Sequence, residues 1–335
     1  MKRLNIVEKI LFFFNTITAL LLLLTYAIPN LDPERFPIIN LLSLLYPVFL
    51  GLNFFFAILW LIKLKPQFLL SLLVIGIGYK QINSFFSFHK KEELKQTDVK
   101  LLSYNVRYFN RAQWIPSPSI QPKIYDFINK QQADIVCIQE HDHTQNPKIK
   151  LPKVGQKKTG QNELAIYSKY KPIHTGSLDF KNTANNVLYV DLQVRDQIVR
   201  IYNVHLESFG LKTEKKYYGD EDNTALLKHF RNVFVKQSEQ IKLLKNHIDN
   251  CPYKTIIAGD FNNTAFSWNY HYLMENRKDA FVEAGSGFGK TFNYMFPLRI
   301  DFILPDNNME VGSFANYNVK LSDHYPIMAR INLNN

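Results

Sequence analysis

Three runs of apolar residues occupy the beginning of the chain and set it apart from everything that follows. Leucine, phenylalanine and isoleucine dominate from Ile6 to about Ile28, from Phe36 to about Ile62 and from Phe68 to about Tyr79. A transmembrane helix needs about 20 apolar residues, so the first two runs are long enough to cross a membrane. The pattern therefore predicts a transmembrane helical region over residues 1–90.

The third run is short, and two interpretations of it stay open. It reaches spanning length if it extends through Ile82, Phe85 and Phe86, with Lys80 and Gln81 near the interface. Otherwise it is an amphipathic segment that lies on the membrane surface. We predict a bundle of about three transmembrane helices and keep two spans as the alternative.

Charged residues around the runs predict the orientation. Basic residues precede the first run and follow the second: Lys2, Arg3, Lys9, Lys63 and Lys65. Since basic residues concentrate in cytoplasmic loops, both ends of this helical hairpin are expected in the cytoplasm. Three spans then place the rest of the chain on the non-cytoplasmic side, and two spans leave it in the cytoplasm. Lys90, Lys91 and Lys95 favour the second arrangement.

From residue 97 to the C-terminus, short apolar strands alternate with amphipathic helices. The predicted helices are Gln121–Gln131, Asn223–Asn250 and Trp268–Asn276. The predicted strands are Leu101–Arg107, Ala133–Glu140, Glu163–Ser168, Val187–Val194, Arg200–His205, Thr255–Ala258 and Arg299–Leu304. This mixture predicts an α/β (α+β) domain over residues 97–335, with sheets covered by helices. Two lysine-rich segments, residues 147–158 and 211–222, are predicted to be solvated loops.

Composition and charge restrict the class of partner. The formal net charge of +11 favours anionic partners, either nucleic acid or acidic lipid headgroups. Part of this charge is the usual basic flanking of membrane spans. The two cysteines, Cys137 and Cys251, indicate no disulfide framework. Nothing in the sequence indicates an obligate protein partner.

Polar side chains stand at the ends of several predicted strands. Asn105, Glu140 and His205 each end an apolar strand, and Asp260 follows another within Gly259-Asp260-Phe261-Asn262. Carboxylate and amide oxygens suit Mg²⁺ or Mn²⁺, and histidine supplies proton chemistry near neutral pH. Any one of these signals is weak, since Asp-Phe-Asn alone is typical of an Asx turn.

Taken in order, six segments resemble the motifs of the endonuclease/exonuclease/phosphatase superfamily. They are Tyr-Asn-Val-Arg, Ile-Gln-Glu, Asn-Val-His-Leu, Gly-Asp-Phe-Asn, Arg-Ile-Asp-Phe-Ile and Ser-Asp-His-Tyr-Pro. The superfamily includes pancreatic-type deoxyribonucleases, abasic-site endonucleases, inositol-phosphate 5-phosphatases and bacterial sphingomyelinases. The resemblance runs from about Asp98 to the C-terminus. It implies a four-layer sandwich of two mixed β-sheets packed face to face with helices outside.

The resemblance also implies roles for the matching residues. Glu140 and Asn105 match the main ligands of a Mg²⁺ or Mn²⁺ ion, and Asp323 matches an additional metal-binding or site-tuning acid. Asp260 would orient or deprotonate the attacking water. Asn262 would donate its side-chain amide to a phosphate oxygen.

Two histidines are implied to act at the phosphate. His324 and Asp301 match a pair in which the carboxylate fixes the imidazole tautomer and supports its cationic form. His205 matches a second histidine of the deoxyribonuclease-like branch, where an acid from an earlier strand is its partner. Glu163 is the candidate for that acid.

One arginine and three histidines can also be compared with the superfamily motifs. Arg107 stands where abasic-site endonucleases carry an acid, so it agrees better with the deoxyribonuclease and sphingomyelinase branches, where it would contact substrate. His141, His143 and His174 lie outside the matching motifs. We expect them to be polar residues of the surface.

These observations predict a membrane-anchored, Mg²⁺-dependent hydrolase of the phosphodiesterase or endonuclease type that cleaves a phosphoester by in-line attack of water. Net charge and His205 favour nucleic acid as substrate, whereas a tethered domain favours a phospholipid headgroup of the sphingomyelinase or inositol-phosphatase type. A non-catalytic membrane protein that keeps the fold as a binding platform is a third possibility. Such a protein would be expected to lack one of Glu140, Asp260, Asp301 or His324, and all four are present.

Overall fold

The computed structural model describes residues 4–89, 99–142, 144, 147–210 and 223–333. The helices of the N-terminal region are α1 (Ile6–Ala27), α2 (Pro37–Asn40), α3 (Tyr46–Ile62), α4 (Phe68–Ile77) and α5 (Tyr79–Phe85). The later helices are α6 (Ile120–Lys130), α7 (Asn223–Asp249), α8 (Trp268–Leu273) and α9 (Ala280–Ala284). The first strands are β1 (Phe86–Phe88), β2 (Val99–Asn105), β3 (Ile135–Gln139), β4 (Lys153–Thr159), β5 (Asn162–Ser168), β6 (Lys171–Ser177) and β7 (Asn186–Val194). The remaining strands are β8 (Gln197–His205), β9 (Lys254–Asp260), β10 (Ser286–Phe288), β11 (Asp301–Pro305), β12 (Glu310–Asn316) and β13 (Ile327–Asn332).

Two segments of the N-terminal region are long and apolar enough to cross a membrane, Ile6–Asn30 and Pro37–Ile62. The third predicted run forms the pair α4 and α5, which is bent by 73° and amounts to a third span only if the pair is taken as one. The break falls at Gly78, where the ring of Tyr26 lies 2.2 Å from the position that a Cβ would take. A larger residue at position 78 would therefore collide with Tyr26 and push α1 away from the α4–α5 pair.

Hydrogen bonds inside the apolar bundle tie α1 to α3 and to α4. Asn15 Nδ2 donates to Ser71 Oγ over 2.7 Å, and Trp60 Nε1 donates to Asn15 Oδ1 over 2.9 Å. All three side chains are buried, so losing one bond would leave a polar group without a partner among apolar residues. At one end of the bundle, Lys65 Nζ lies 3.3 Å from Glu8 Oε2. The start of α1 and the α3–α4 turn are therefore at the same end.

Two mixed sheets form the rest of the described chain. The six-stranded sheet has the order β12-β13-β2-β3-β5-β4, and the five-stranded sheet has the order β11-β9-β8-β7-β6. Only β2–β3 and β8–β9 are parallel among the neighbouring strands of these sheets. Apolar side chains of both sheets, such as Leu101, Ile135, Leu188 and Ile201, form one buried cluster between them. With α6 on one outer face and α7 and α8 on the other, the predicted four-layer sandwich is confirmed.

The edge strands β4 and β6 were missed by the apolar pattern. Residues 147–158 were predicted to be a loop, but β4 begins within them at Lys153 and pairs with β5. In β4 only Gly155 is buried and in β6 no residue is, so no alternation of apolar residues marks either strand. The other lysine-rich segment, residues 211–222, lies outside the described residues.

Strand register brings the polar strand ends to one edge of the sandwich. Asn105 pairs with Gln139 at the carboxyl end of the β2–β3 pair. His205 pairs with Asp260 at the carboxyl end of the β8–β9 pair. Asp260 also pairs with Asp301, the first residue of the antiparallel strand β11. The motifs of five distant segments therefore lie at strand ends, two in the six-stranded sheet and three in the five-stranded sheet, and within each sheet they meet because their strands are neighbours.

The N-terminal region packs against the sandwich through one end of the bundle. Phe266 stacks on Tyr46 with ring centroids 3.7 Å apart, and Thr264 Oγ1 donates to the Ser43 carbonyl over 3.1 Å. Lys242 of α7 forms ion pairs with acids of the segment between the first two spans. Strand β1, which follows α5, pairs with β10. The sandwich thus lies at the bundle end opposite Glu8.

A glycine of the Gly-Asp-Phe-Asn motif gives a direct test of this register. Gly259 has a φ of 143°, and a Cβ there would lie 2.1 Å from the Val204 carbonyl oxygen of the neighbouring parallel strand. We expect Gly259→Ala to cost about 3 kcal/mol because strain and the backbone collision act together. The melting temperature of the purified full-length protein should fall by about 5–10 °C.

Gly76→Ala is the matched control, because Gly76 lies in α4 and a Cβ there has no atom within 4 Å. Its melting temperature should stay within about 2 °C of that of the unmodified protein. Equal melting temperatures for Gly259→Ala and Gly76→Ala would contradict the described register of β8 and β9.

Candidate functional site

Two carboxylates and an amide from different sheets form the floor of the site. Asn105 Nδ2 donates to Glu140 Oε1 over 3.2 Å and to Asp260 Oδ2 over 3.0 Å. Glu140 follows the end of β3 with a left-handed φ of 50°, which turns its side chain toward this position. Burial and the charge of Asp323 raise the pKa of Glu140 to about 7. One oxygen of each carboxylate therefore accepts a hydrogen bond from the NH₂ group of Asn105.

This donor set fits a hard divalent cation, with one qualification. Carboxylates that converge in a buried site are stabilised by a nearby positive charge, and Mg²⁺ and Mn²⁺ prefer carboxylate ligands. Asn105, however, presents its nitrogen to the carboxylates, while its Oδ1 accepts from the Arg107 backbone N–H over 3.1 Å. As a metal ligand, Asn105 would have to turn its amide and present the oxygen.

A second cluster with metal-binding atoms consists of Asp260, Asp301 and His324, whose ligand atoms lie within 4.8 Å of one another. His324 Nδ1 lies 3.0 and 3.2 Å from the two oxygens of Asp301, and its Nε2 lies 3.5 Å from Asp260 Oδ2. Burial lowers the pKa of His324, but the carboxylates of Asp301 and Asp260 outweigh it and raise this pKa well above its usual range. A cationic imidazole is a poor metal ligand, so this cluster favours proton transfer.

His205 faces the same two carboxylates as Asn105. Its Nε2 lies 3.8 Å from Glu140 Oε1 and 3.7 Å from Asp260 Oδ2. Burial lowers the pKa of His205, an effect that Asp260 opposes and that the cationic His324 reinforces. His205 is therefore the neutral histidine of the pair at neutral pH, and His324 is the charged one.

The predicted pairing of Glu163 with His205 is wrong. Glu163 Oε1 lies 3.4 Å from His141 Nδ1, and His205 Nδ1 has no hydrogen-bond partner among the described residues. The reason is topological: β5 continues past the end of β3, where the His141 N–H donates to the Glu163 carbonyl. His141 is consequently buried rather than a surface residue, and its Nε2 lies 2.8 Å from the Tyr167 hydroxyl. His174 is exposed as expected, and His143 lies outside the described residues.

Arg107 begins a left-handed turn beside the site. Four consecutive non-glycine residues, Arg107 to Asn110, have φ values between 43° and 59°. Each costs about 1 kcal/mol or more, so the turn persists only because its surroundings hold it. The Tyr108 N–H donates to the Glu140 carbonyl over 2.8 Å, and Phe109 is fully buried. The turn places Arg107 over the Trp114 ring and 3.1 Å from Asp323 Oδ2.

Asn262 combines a local turn with a position at the site. Its N–H donates to Asp260 Oδ1 over 2.8 Å, which is the Asx turn that the motif alone would suggest. Its side-chain Nδ2 donates to the Leu206 carbonyl over 2.9 Å. This hydrogen bond engages one of the two N–H groups of the side-chain amide. The side chain still lines the cleft that is described in the next paragraph.

A cleft opens over these groups and has an apolar side that sequence analysis missed. Its polar lining residues are Glu140, Ser208, Asn262, Asp323 and His324. Its apolar lining residues are Leu44, Phe209, Phe292, Leu298 and Ile300. Leu44 lies in a run of leucines that reads only as membrane-spanning sequence, so no local signal marks it. Phe292 and Leu298 are isolated apolar residues whose position depends on the tertiary fold.

Comparison with known proteins identifies the fold. The N-terminal residues 8–85 match a model described as a domain of unknown function. No curated protein matches the chain. Among solved structures, a conserved protein of unknown function from Enterococcus faecalis V583 is 19% identical with a TM-score of 0.54, covering 70% of this chain and 99% of that one.

Two further structures are similar over the same part. TDP2 from D. rerio, complexed with a single-strand DNA product, is 15% identical with a TM-score of 0.54, covering 71% of this chain and 100% of that one. The catalytic domain of human Nocturnin, with a bound sulfate anion, is 15% identical with a TM-score of 0.53, covering 72% and 97%. The model of the endonuclease/exonuclease/phosphatase family matches residues 102–324, which is more than half of the chain, and this protein is therefore a member of that family.

Proposed function

We propose that this chain is a membrane-anchored phosphodiesterase that uses a divalent metal ion and water. Family members hydrolyse phosphate esters, and the family depends on divalent metals. The observation that carries the proposal is the convergence of Glu140, Asp260 and Asn105 beside the His324–Asp301 pair. A binding platform without catalysis would not need this set.

Glu140 is the residue whose carboxylate would hold Mg²⁺ or Mn²⁺, joined by Asn105 after its amide turns. Asp323 lies nearby and would tune the site through its charge and through Arg107. A bound divalent ion would neutralise charge on the phosphate and make it more susceptible to attack. The Arg107–Asp323 contact suggests that Arg107 reaches substrate only if it leaves this acid.

Proton transfer would be divided between two groups of the chain. Asp260 Oδ2 would orient the attacking water and accept its proton. His324 would hold a proton on Nε2 for a phosphate or leaving-group oxygen, because Asp301 fixes Nδ1 as a donor. Neutral His205 and the side-chain amide of Asn262 would contribute hydrogen bonds to the phosphate.

The substrate is proposed to be a phosphodiester, and two classes are considered. Nucleic acid is supported by the net charge of +11 and by the likeness to TDP2 from D. rerio in complex with a DNA product. A lipid phosphoester is supported by the apolar side of the cleft.

We also propose that residues 1–90 form a three-span anchor and that the catalytic domain, residues 97–335, lies on the non-cytoplasmic side. The sandwich packs against residues Ser43 and Tyr46, which lie in the first half of the second candidate span. The basic residues that predict the cytoplasmic face, such as Lys65, lie at the other end of the bundle. A two-span chain would put the sandwich at the same end as Lys65.

Metal-dependent turnover is the central test. The purified full-length protein should hydrolyse bis-p-nitrophenyl phosphate with Mg²⁺ or Mn²⁺ and stop when the metal is chelated. Asp260→Ala and His324→Ala should each lower kcat by about 10²–10⁴-fold, because each removes a positioned group for proton transfer. Release of p-nitrophenol measures the rate.

His174→Ala serves as the matched control, since His174 is exposed on the outer strand β6. It should leave kcat unchanged. Full activity of Asp260→Ala, or turnover that persists without divalent metal, would refute the proposal.

The pH dependence tests the His324–Asp301 pair. Removing the Asp301 charge by Asp301→Asn should lower the pKa of His324, because burial then has less opposition. If protonated His324 is the acid, kcat/KM falls as pH rises through its pKa, and this fall should begin at lower pH in the variant. Asp196→Asn, on the surface, should leave the pH profile unchanged. An Asp301→Asn profile that matches the unmodified protein would exclude the pair as the source of the acid.

Reporter fusions test the sidedness. In a bacterial host, alkaline phosphatase fused after His89 should be active, and the same enzyme fused after Leu64 should be inactive, because it folds only outside the cytoplasm. A fluorescent protein fused at the two positions should give the reverse pattern. Active phosphatase after Leu64 but not after His89 would establish the opposite orientation.

A further inference from the structure

The N-terminal region supplies part of the wall of the candidate active site. Leu44 lies in the short 3-10 helix Leu41–Leu45, in the first half of the second candidate span, and it lines the cleft together with Glu140 and His324. It packs in a cluster with Phe209 and Phe234 of the sandwich. A residue of the membrane-type sequence thus faces the same space as the catalytic groups.

The apolar wall continues from the cleft to the bundle. The Phe292 ring lies 5.0 Å from the His324 ring, and Leu298 lies beside it in the cleft. Leu298 also lines a cavity at the junction with the bundle, together with Pro47 and Phe85. Lys290 and Arg299 also line that cavity, so apolar side chains run from His324 toward the start of α3 and the end of α5 beside two cations.

The described lining of the cleft offers no lysine or arginine to a nucleic-acid backbone. Lysine and arginine side chains supply most contacts to the phosphates on either side of a cleaved bond. The described residues that line the cleft include neither, and the nearby Arg107 is paired with Asp323. A substrate with a single phosphate and an apolar substituent fits this lining better than a chain of phosphates does.

We propose that the substrate is a membrane phosphodiester with a hydrocarbon chain, and that Leu44 binds this chain beside the scissile phosphate. This inference rests on the proposed phosphodiesterase function. In the reaction, the water oxygen forms a bond to phosphorus and one P–O ester bond breaks. The leaving oxygen takes a proton, so the products are an alcohol and a phosphomonoester. Leu44 acts as a specificity residue because it contacts the chain and not the reacting atoms.

A chain-length series tests the contact. The full-length protein in detergent is supplied with p-nitrophenyl methyl, hexyl and dodecyl phosphate, and kcat/KM is measured for each. A buried methylene contributes about fourfold, so the hexyl ester should exceed the methyl ester by at least about tenfold even if only two methylenes reach the wall. Leu44→Ser should reduce this ratio about fivefold or more.

Variants separate the contact from general effects. Long esters partition into detergent equally for every variant, so a change in the hexyl-to-methyl ratio reports contact with the protein. Leu44→Met keeps an apolar side chain and should retain the ratio. Ile38→Ser alters an exposed residue six positions before Leu44 in the same candidate span and should change neither rate nor ratio.

Each outcome either supports the proposed Leu44 contact or overturns it. Turnover that is independent of chain length, a ratio unchanged in Leu44→Ser, or faster cleavage of a single-stranded oligonucleotide than of the dodecyl ester would overturn this inference and leave the phosphodiesterase function standing. No metal-dependent turnover of any ester or oligonucleotide would refute the proposed function and this inference together. A ratio that falls in Leu44→Ser and is kept in Leu44→Met would support the contact.

Discussion

The candidate site depends on how the two sheets are fixed relative to each other, because its residues come from both. One buried amide supplies this constraint. Asn203 Nδ2 donates to the carbonyls of Ile138 and Ala165 over 2.9 and 3.0 Å, and Gln139 Nε2 donates to Asn203 Oδ1 over 2.6 Å. These bonds cross the sandwich close to the site, because Asn203 lies two residues before His205 and Gln139 lies directly before Glu140. Apolar packing alone would let the sheets slide, whereas a buried amide with satisfied donors and acceptor favours one registration.

Sequence analysis predicted the residues that stand at strand ends and missed those whose neighbours are set by the tertiary fold. Asn105 and Asp260 could be found because an apolar strand precedes each of them and the family motifs mark them. The partner of Glu163 could not be found, since it depends on how far β5 extends past β3. Leu44 was hidden for another reason: its local sequence predicts a membrane helix, and only packing between distant segments brings it to the cleft.

The polar groups of the site also set one another's protonation states. Asp301 holds the His324 ring and raises its pKa, and His324 in turn offsets the charge of Asp260. His205 stays neutral because burial and the cationic His324 both oppose its protonation. Similar residues therefore take different protonation states because of their neighbours, which is the arrangement that acid and base catalysis requires.

The join between bundle and sandwich is made of ordinary core contacts: a stacked aromatic pair, a strand pair and ion pairs. If the helices cross a bilayer, these contacts hold the cleft at a fixed height relative to the headgroups. A molecule dissolved in bulk water would have to approach that fixed height, while a lipid arrives there by lateral diffusion. The encounter between enzyme and substrate would then be a search in two dimensions, and its rate would follow the surface density of the lipid rather than its bulk concentration.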